Sequence, residues 1–175
     1  MMMNVKIRIF ALLLLFVVNQ KAQNRKTEDP RYTSLRLYQG AWNIVRKSGD
    51  ATAKPDRLVN DCALMGQYFA CAQSVNGSAG GLIVFIPSQK TGSYYTQTIT
   101  TDGRATGRAD LVISGDQWTY SSRWPQESGK IVYYRTTNVF TGKNRIHFEQ
   151  LESADGTHWT LKQAGDEVRA DFRGH

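Results

Sequence analysis

The sequence predicts an all-β fold, a single antiparallel up-and-down β-barrel of about ten strands with a short N-terminal helix. Beyond about residue 40 the chain consists of short stretches rich in Val, Ile, Thr, Tyr, Phe and Trp, in which apolar and polar side chains alternate, as in half-buried strands. Tight-turn dipeptides end several stretches, at Asn76-Gly77, Asp102-Gly103 and Asp155-Gly156, and supply the positive φ angles that hairpins need. No βαβ alternation interrupts the hairpins, so we expect the meander to close into a barrel without exposed edges.

The first residues resemble a secretory signal. Lys6 and Arg8 precede an uncharged apolar stretch, and a cleavage site is plausible near Ala22. The apolar stretch is shorter than the roughly 20 residues of a membrane-spanning helix, although an uncleaved anchor or a buried helix remains the alternative. We therefore expect residues 1–22 to be a signal peptide, residues 23–32 a flexible segment, and the mature protein to be exported to the periplasm or secreted, without stable membrane insertion.

The charge distribution and the length of the chain exclude some classes of function. Loss of residues 1–22 removes Lys6, Arg8 and Lys21 and no acid, so 22 basic residues become 19 against 15 acidic ones, a net charge of +4 rather than +7. The remaining charges are scattered, whereas nucleic-acid-binding domains concentrate Lys and Arg on one face. The predicted domain, residues 33–172, is long enough to bury a core. Two Cys and three dispersed His residues show no zinc spacing, and no metal or cofactor is expected.

The predicted elements begin with one or two helical turns over residues 33–39, between Pro30 and Gly40, which is a natural helix stop. The predicted strands lie near 41–48, 56–64, 67–76, 80–87, 93–101, 104–113, 117–123, 130–140, 144–152 and 157–164, with a last extended piece at 166–171.

The two cysteines fit one hairpin. A two-residue turn at Gly66-Gln67 would place Cys62 directly opposite Cys71, at a Cα separation of about 5.5 Å that suits a disulfide. Export would permit the bond. We expect it to hold the hairpin register rather than to do chemistry.

Gly40-Ala41-Trp42 opens the first strand, and a Gly-x-Trp at this place resembles the signature of the lipocalins and the wider calycin superfamily. The resemblance implies that Trp42 plugs the closed end of the barrel and that a late arginine, here Arg169, packs over its ring. A guanidinium over an indole gains roughly 0.5–2 kcal/mol.

A longer resemblance covers most of residues 35–169. Its motifs are 64–69 (Leu-Met-Gly-Gln-Tyr-Phe), 102–103 (Asp-Gly), 114–118 (Ser-Gly-Asp-Gln-Trp), 134–136 (Tyr-Arg-Thr) and 155–159 (Asp-Gly-Thr-His-Trp). They resemble a bacterial lipocalin-like domain family of unknown function, many of whose members are exported. The resemblance implies a ten-stranded barrel closer to fatty-acid-binding proteins and nitrobindin than to eight-stranded lipocalins, and it implies no reaction. Phe85-Ile86-Pro87 stands where that family often has Gly-Tyr-Asp, so a function of that acid does not carry over.

A ten-stranded barrel is wider than its side chains fill, so an internal cavity is expected. Cavities with aromatic walls and a few polar groups usually bind small ligands. We predict a small hydrophobic or amphipathic ligand, with Trp42, Tyr68, Tyr95, Trp118 and Arg135 as candidate lining residues. Parity does not decide the face of Arg135: inward, it could pair with a ligand carboxylate, and outward, it is a surface cation.

Other functions stay open at this stage. His158 is the one candidate for a haem ligand of the nitrobindin type, and His147 with Glu149 is either a solvent-facing pair or a general base with its partner. A packed barrel that serves as an interaction module is a third possibility. The sequence contains no Gly-x-Ser-x-Gly, no phosphate-binding glycine loop and no His-Glu-x-x-His. It therefore nominates no catalytic residue and favours a binding module over an enzyme.

Overall fold

The computed structural model describes residues 29–47 and 54–170. The predicted signal peptide, and residues 23–28 of the predicted flexible segment, lie outside the described residues. The chain divides into two compact units, Met1–Pro30 and Arg31–His175, and the second unit contains the whole barrel. Within the described ranges, no helix is long and apolar enough to cross a membrane.

The described chain forms a closed antiparallel barrel of ten strands, as predicted. Each strand pairs with the next along the chain, and the first pairs with the last, so all backbone edges are satisfied within the sheet. The strands are β1 (Gly40–Arg46), β2 (Asp56–Met65), β3 (Tyr68–Val75), β4 (Ser78–Pro87), β5 (Ser93–Thr100), β6 (Ala109–Ser114), β7 (Gln117–Pro125), β8 (Ile131–Thr141), β9 (Arg145–Ser153) and β10 (Thr160–Arg169).

The chain enters the barrel through two short 3₁₀ segments, Pro30–Tyr32 and Ser34–Tyr38. The second confirms the position predicted for the helix but is tighter than an α-helix. Leu35 is fully buried and Tyr32 is 2% exposed. The Tyr32 ring stacks on Phe69 at 5.9 Å between centroids. The segment therefore closes one end of the barrel.

The largest differences from the predicted strand boundaries are in β6 and β10. β6 begins at Ala109 rather than near residue 104, because the preceding residues form only an isolated bridge between Ala105 and Ile99 and a backbone hydrogen bond from Thr106 to Thr98. A Cβ on Gly107 would lie 2.8 Å from the Trp124 ring, so the indole lies against the backbone there.

At the C-terminal end, the two predicted pieces at 157–164 and 166–171 are one strand, β10. Its pairing with β9 shifts between Leu161 and Gln163, and a β-bulge of this kind disturbs the alternation on which the sequence interpretation depends.

The disulfide between Cys62 and Cys71 is present, with a Cα separation of 4.0 Å. The two residues are direct partners in the β2–β3 ladder, and both are buried. The bond therefore links two strands across the inner face of the barrel.

Candidate ligand cavity

The closed end is a packed group of side chains that we call the plug. It contains Tyr32, Leu35, Trp42, Trp118 and Phe140, all at most 3% exposed. The Trp118 ring lies 4.7 Å from Phe140 and 6.1 Å from Tyr38. The plug fills the barrel cross-section at this end.

Arg169 fixes the first strand to the last at the plug. Its guanidinium lies 4.2 Å above the Trp42 ring. It also donates hydrogen bonds to the carbonyl oxygens of Gln39, Leu37 and Lys143 at 2.8, 3.0 and 2.9 Å. Gly40 has φ +120°, and a Cβ there would meet Nη1 of Arg169 at 2.5 Å. A glycine is therefore needed at position 40, both because the backbone has a positive φ there and because Arg169 occupies the space of a side chain.

Beyond the plug lies an interior cavity of about 460 Å³. Its apolar lining comes from Ile44, Ile83, Ala109 and Phe148. The neutral polar lining includes Thr96, Thr98, Thr136, Asn138, Gln150 and Gln163. The cavity therefore offers both apolar surface and many hydrogen-bonding groups, which suits an amphipathic molecule better than a purely apolar one.

A glycine creates part of this space. Gly165 pairs with Phe148 across β9 and β10. A Cβ on Gly165 would lie 2.5 Å from the carbonyl oxygen of Val45 and 2.8 Å from the Phe148 ring. The Phe148 ring, which lines the cavity, can therefore lie against the backbone of β10 only because residue 165 has no side chain.

Tyr38 forms the floor of the cavity and is held by a polar network. Its carbonyl oxygen accepts hydrogen bonds from Trp42 Nε1 and Asn60 Nδ2, both at 3.1 Å. Gln73 Nε2 lies 2.8 Å from Asn60 Oδ1 and 3.3 Å from the Tyr38 hydroxyl. Burial, followed by the charge of Glu167, raises the pKa of Tyr38 well above its usual value. Its hydroxyl therefore stays protonated.

Glu167 is the acidic group of the cavity. It lies on the inner face of β10, between Ile44 of β1 and Ile146 of β9 in the ladder. It lines the cavity and is only 8% exposed. Its Oε2 is buried and has no hydrogen-bond partner. Burial raises the pKa of this carboxyl from 4.5 to about 7.

Arg46 contributes the basic group, at the opposite end of β1 from Trp42 and hence at the far end of the cavity from the plug. Its Nη1 pairs with Asp56 Oδ2. The Arg46 side chain is 42% exposed, so water screens the pair. The cation therefore belongs to the mouth of the cavity.

The structure places the five predicted lining residues in three different environments. Trp42 and Trp118 face inward, at 0% and 1% exposure, but they belong to the plug below the cavity rather than to its lining. Tyr68 is 40% exposed beside the β2–β3 turn, and the Tyr95 ring lies on the outer face beneath the Arg108 guanidinium at 3.4 Å. Neither tyrosine reaches the cavity.

Arg135 also lies on the outer face of the barrel and does not point into the cavity. Its neighbour Thr136 and then Asn138 line the cavity, and alternation along β8 points Arg135 the other way. Its guanidinium lies 4.0 Å above the Trp159 ring. Of the two orientations that the sequence left open, the structure therefore shows the outward one, in which Arg135 cannot pair with the carboxylate of a ligand in the cavity.

The two histidines among the described residues lie outside the cavity. His158 is 92% exposed, and its Nδ1 lies 2.6 Å from Asp155 Oδ2 in the β9–β10 turn. This hydrogen bond raises the pKa of His158. His147 lies on the outer face, with Nδ1 3.0 Å from Asp166 Oδ1 and Nε2 3.7 Å from Glu149 Oε1. Across residues 29–47 and 54–170 no group of three or more metal-binding side chains converges.

Sequence reasoning missed Glu167, although one signal was present. If Arg169 packs over Trp42, both side chains are on the inner side of their strands. Alternation then places Glu167, two residues earlier, on the same side. The pairing of Arg169 with Trp42, which the lipocalin resemblance implies, therefore already predicts that Glu167 points into the barrel. The sequence interpretation instead counted Glu167 among the scattered charges.

No protein-family model matches the chain, and no curated protein matches it.

Proposed function

We propose that the protein binds a small amphipathic molecule in the interior cavity. The observation that carries this proposal is a space of about 460 Å³ inside a closed barrel, lined both by apolar side chains and by hydroxyl and amide groups. Pockets of about 300–1,000 Å³ bury most of a small ligand. The cavity favours this function over a packed barrel that only contacts other proteins.

The rigidity of the scaffold supports the proposal. The closed sheet, the Cys62–Cys71 disulfide and the plug hold the cavity walls in place without a ligand. Binding to such a preformed site loses little conformational entropy. No catalytic function is proposed.

A matched pair of substitutions tests the location of the site. Thr136 lines the cavity, whereas Thr137 is the next residue of β8 and points outward. We expect Thr136→Trp to fill the cavity and abolish calorimetric binding of octanol, whereas Thr137→Trp binds octanol like the wild type. Native mass spectrometry of the isolated wild type should also show a bound mass that denaturation releases and Thr136→Trp lacks. Equal octanol binding by both variants, or no binding by the wild type, would contradict the proposal.

We further propose that the protein is exported and belongs to the bacterial lipocalin-like family. The buried disulfide supports an oxidising compartment. The ten-stranded meander with Arg169 over Trp42 supports the lipocalin-like assignment. An intact mass of the protein from its host lacking about residues 1–22, in the extracytoplasmic fraction, is the expected result. The full-length mass in the cytoplasmic fraction would refute export.

A further inference from the structure

Glu167 is a charged group with no charge opposite it. Its neighbours in the ladder, Ile44 and Ile146, are both apolar, and its buried Oε2 accepts no hydrogen bond. Removing an ionised carboxylate from water without a partner is costly. A side chain of this kind on the surface of a cavity marks a place where the ligand can supply the missing partner.

The groups around Glu167 show what that partner is. The titratable side chains that face it are the hydroxyls of Tyr38 and Tyr120, whose pKa values are raised mainly by burial and also by the Glu167 charge. Arg46 also lines the cavity, but it is paired with Asp56 at the exposed mouth. The charged groups of neighbouring β9 and β10 residues, such as Asp166, pair on the outer face. Arg169, two residues along β10, has its guanidinium over Trp42 and donates to backbone carbonyl oxygens of Gln39 and Leu37 at the plug. Among the described residues, the deep part of the cavity is therefore lined by one potential negative charge and no cation.

We propose that Glu167 binds the protonated amine of an amphipathic ligand, whose apolar part lies against Ile44, Ile83 and Phe148. This inference rests on the proposed function, because it assigns the ligand class of the same cavity. An ionised carboxylate only accepts hydrogen bonds, and an ammonium donates up to three with the complementary charge. A neutral alcohol would supply a hydrogen bond but no charge, and an anionic ligand would place a second negative charge beside Glu167.

The pH dependence of binding follows from the same pairing. An alkylamine stays protonated to about pH 10, like a lysine side chain. The fraction of the free protein that can bind the amine is therefore the fraction in which Glu167 is ionised. Burial raises the pKa of Glu167 to about 7. Between about pH 6 and pH 8 the ionised fraction rises from about one tenth to about nine tenths, so apparent amine affinity should rise about tenfold.

The experiment compares three probes of equal chain length on the mature, disulfide-bonded protein by isothermal titration calorimetry: octylamine, octanol and octanoate. We expect the wild type at about pH 8 to bind octylamine at least tenfold more tightly than octanol, and octanoate most weakly. Glu167→Gln keeps the shape of the side chain and removes its charge, and it should abolish the octylamine preference and its pH dependence while octanol binding remains. Glu127→Gln changes an exposed turn residue of the same type and should behave like the wild type.

The outcomes separate this inference from the proposed function. If octanol binds in a Thr136→Trp-sensitive manner but octylamine binds no more tightly, or if Glu167→Gln keeps the amine preference, the amine assignment is wrong and the binding function stands. If octanoate binds most tightly, the cavity recognises anions and the amine assignment is also overturned. If none of the three probes binds the wild type, both proposals fail.

Discussion

The buried carboxyl of Glu167 makes the stability of the empty barrel depend on pH in a defined direction. The group has a pKa of about 7 in the folded protein against an ordinary value of 4.5. Between these values the folded state holds a proton that the unfolded state has released, so the free energy of unfolding falls as pH rises. Below about pH 4.5 both states are protonated and the group contributes nothing. Above about pH 7 both are ionised and the full penalty is present.

The size of the effect follows from the two pKa values. Each pKa unit corresponds to about 1.4 kcal/mol, so the difference between 4.5 and about 7 corresponds to about 3 kcal/mol at alkaline pH. Glu167 is 8% exposed, so solvent screening reduces this value little. The penalty is a large fraction of the 5–15 kcal/mol that stabilises a typical domain.

Replacement of Glu167 by Gln removes the ionisation and keeps the shape of the side chain. We expect urea unfolding of Glu167→Gln, relative to the wild type, to show a gain in stability that is about 2 kcal/mol or more larger at about pH 8 than at about pH 5. The other titratable groups are common to both proteins and cancel in the difference. Glu127→Gln should show no such change. A constant difference between Glu167→Gln and the wild type across this pH range, or a variant less stable at alkaline pH, would refute the reasoning.

Two further substitutions test how the barrel is built, each with a matched control in urea unfolding. Gly165→Ala should destabilise by about 1–3 kcal/mol, because a Cβ there clashes at 2.5 Å with a backbone carbonyl. Gly80→Ala, whose nearest contact would be 3.4 Å, should change stability by less than about 1 kcal/mol, and equal effects would contradict the packing argument. Arg169→Met should cost about 2–4 kcal/mol, because three carbonyl oxygens lose a charged donor. Arg135→Met loses a stacking contact and should cost about 1 kcal/mol or less, and similar losses for the two arginines would show that the carbonyl contacts contribute little.

Three of the five predicted lining residues lie outside the cavity for one physical reason. Tyr68, Tyr95 and Arg135 were candidate lining residues, and each lies one position away from a residue whose side chain points inward. These inward neighbours are Phe69, Tyr94 and Thr136, respectively. Side chains alternate with a period of two, so an error of one position exchanges the inner and outer faces. Both faces of these strands carry aromatic and polar residues, and hydrophobicity alone could not choose between them.

Local patterns in the sequence were sufficient for the number and order of the strands, the tight turns and the disulfide between Cys62 and Cys71. These features depend on residues close together in the chain, where alternation, turn chemistry and hairpin register act directly. Only the tertiary structure decided which faces enclose the cavity, where the plug ends, and that Glu167 lies inside without a partner. Those properties depend on contacts between β1, β9 and β10, which are far apart in sequence and meet only when the barrel closes.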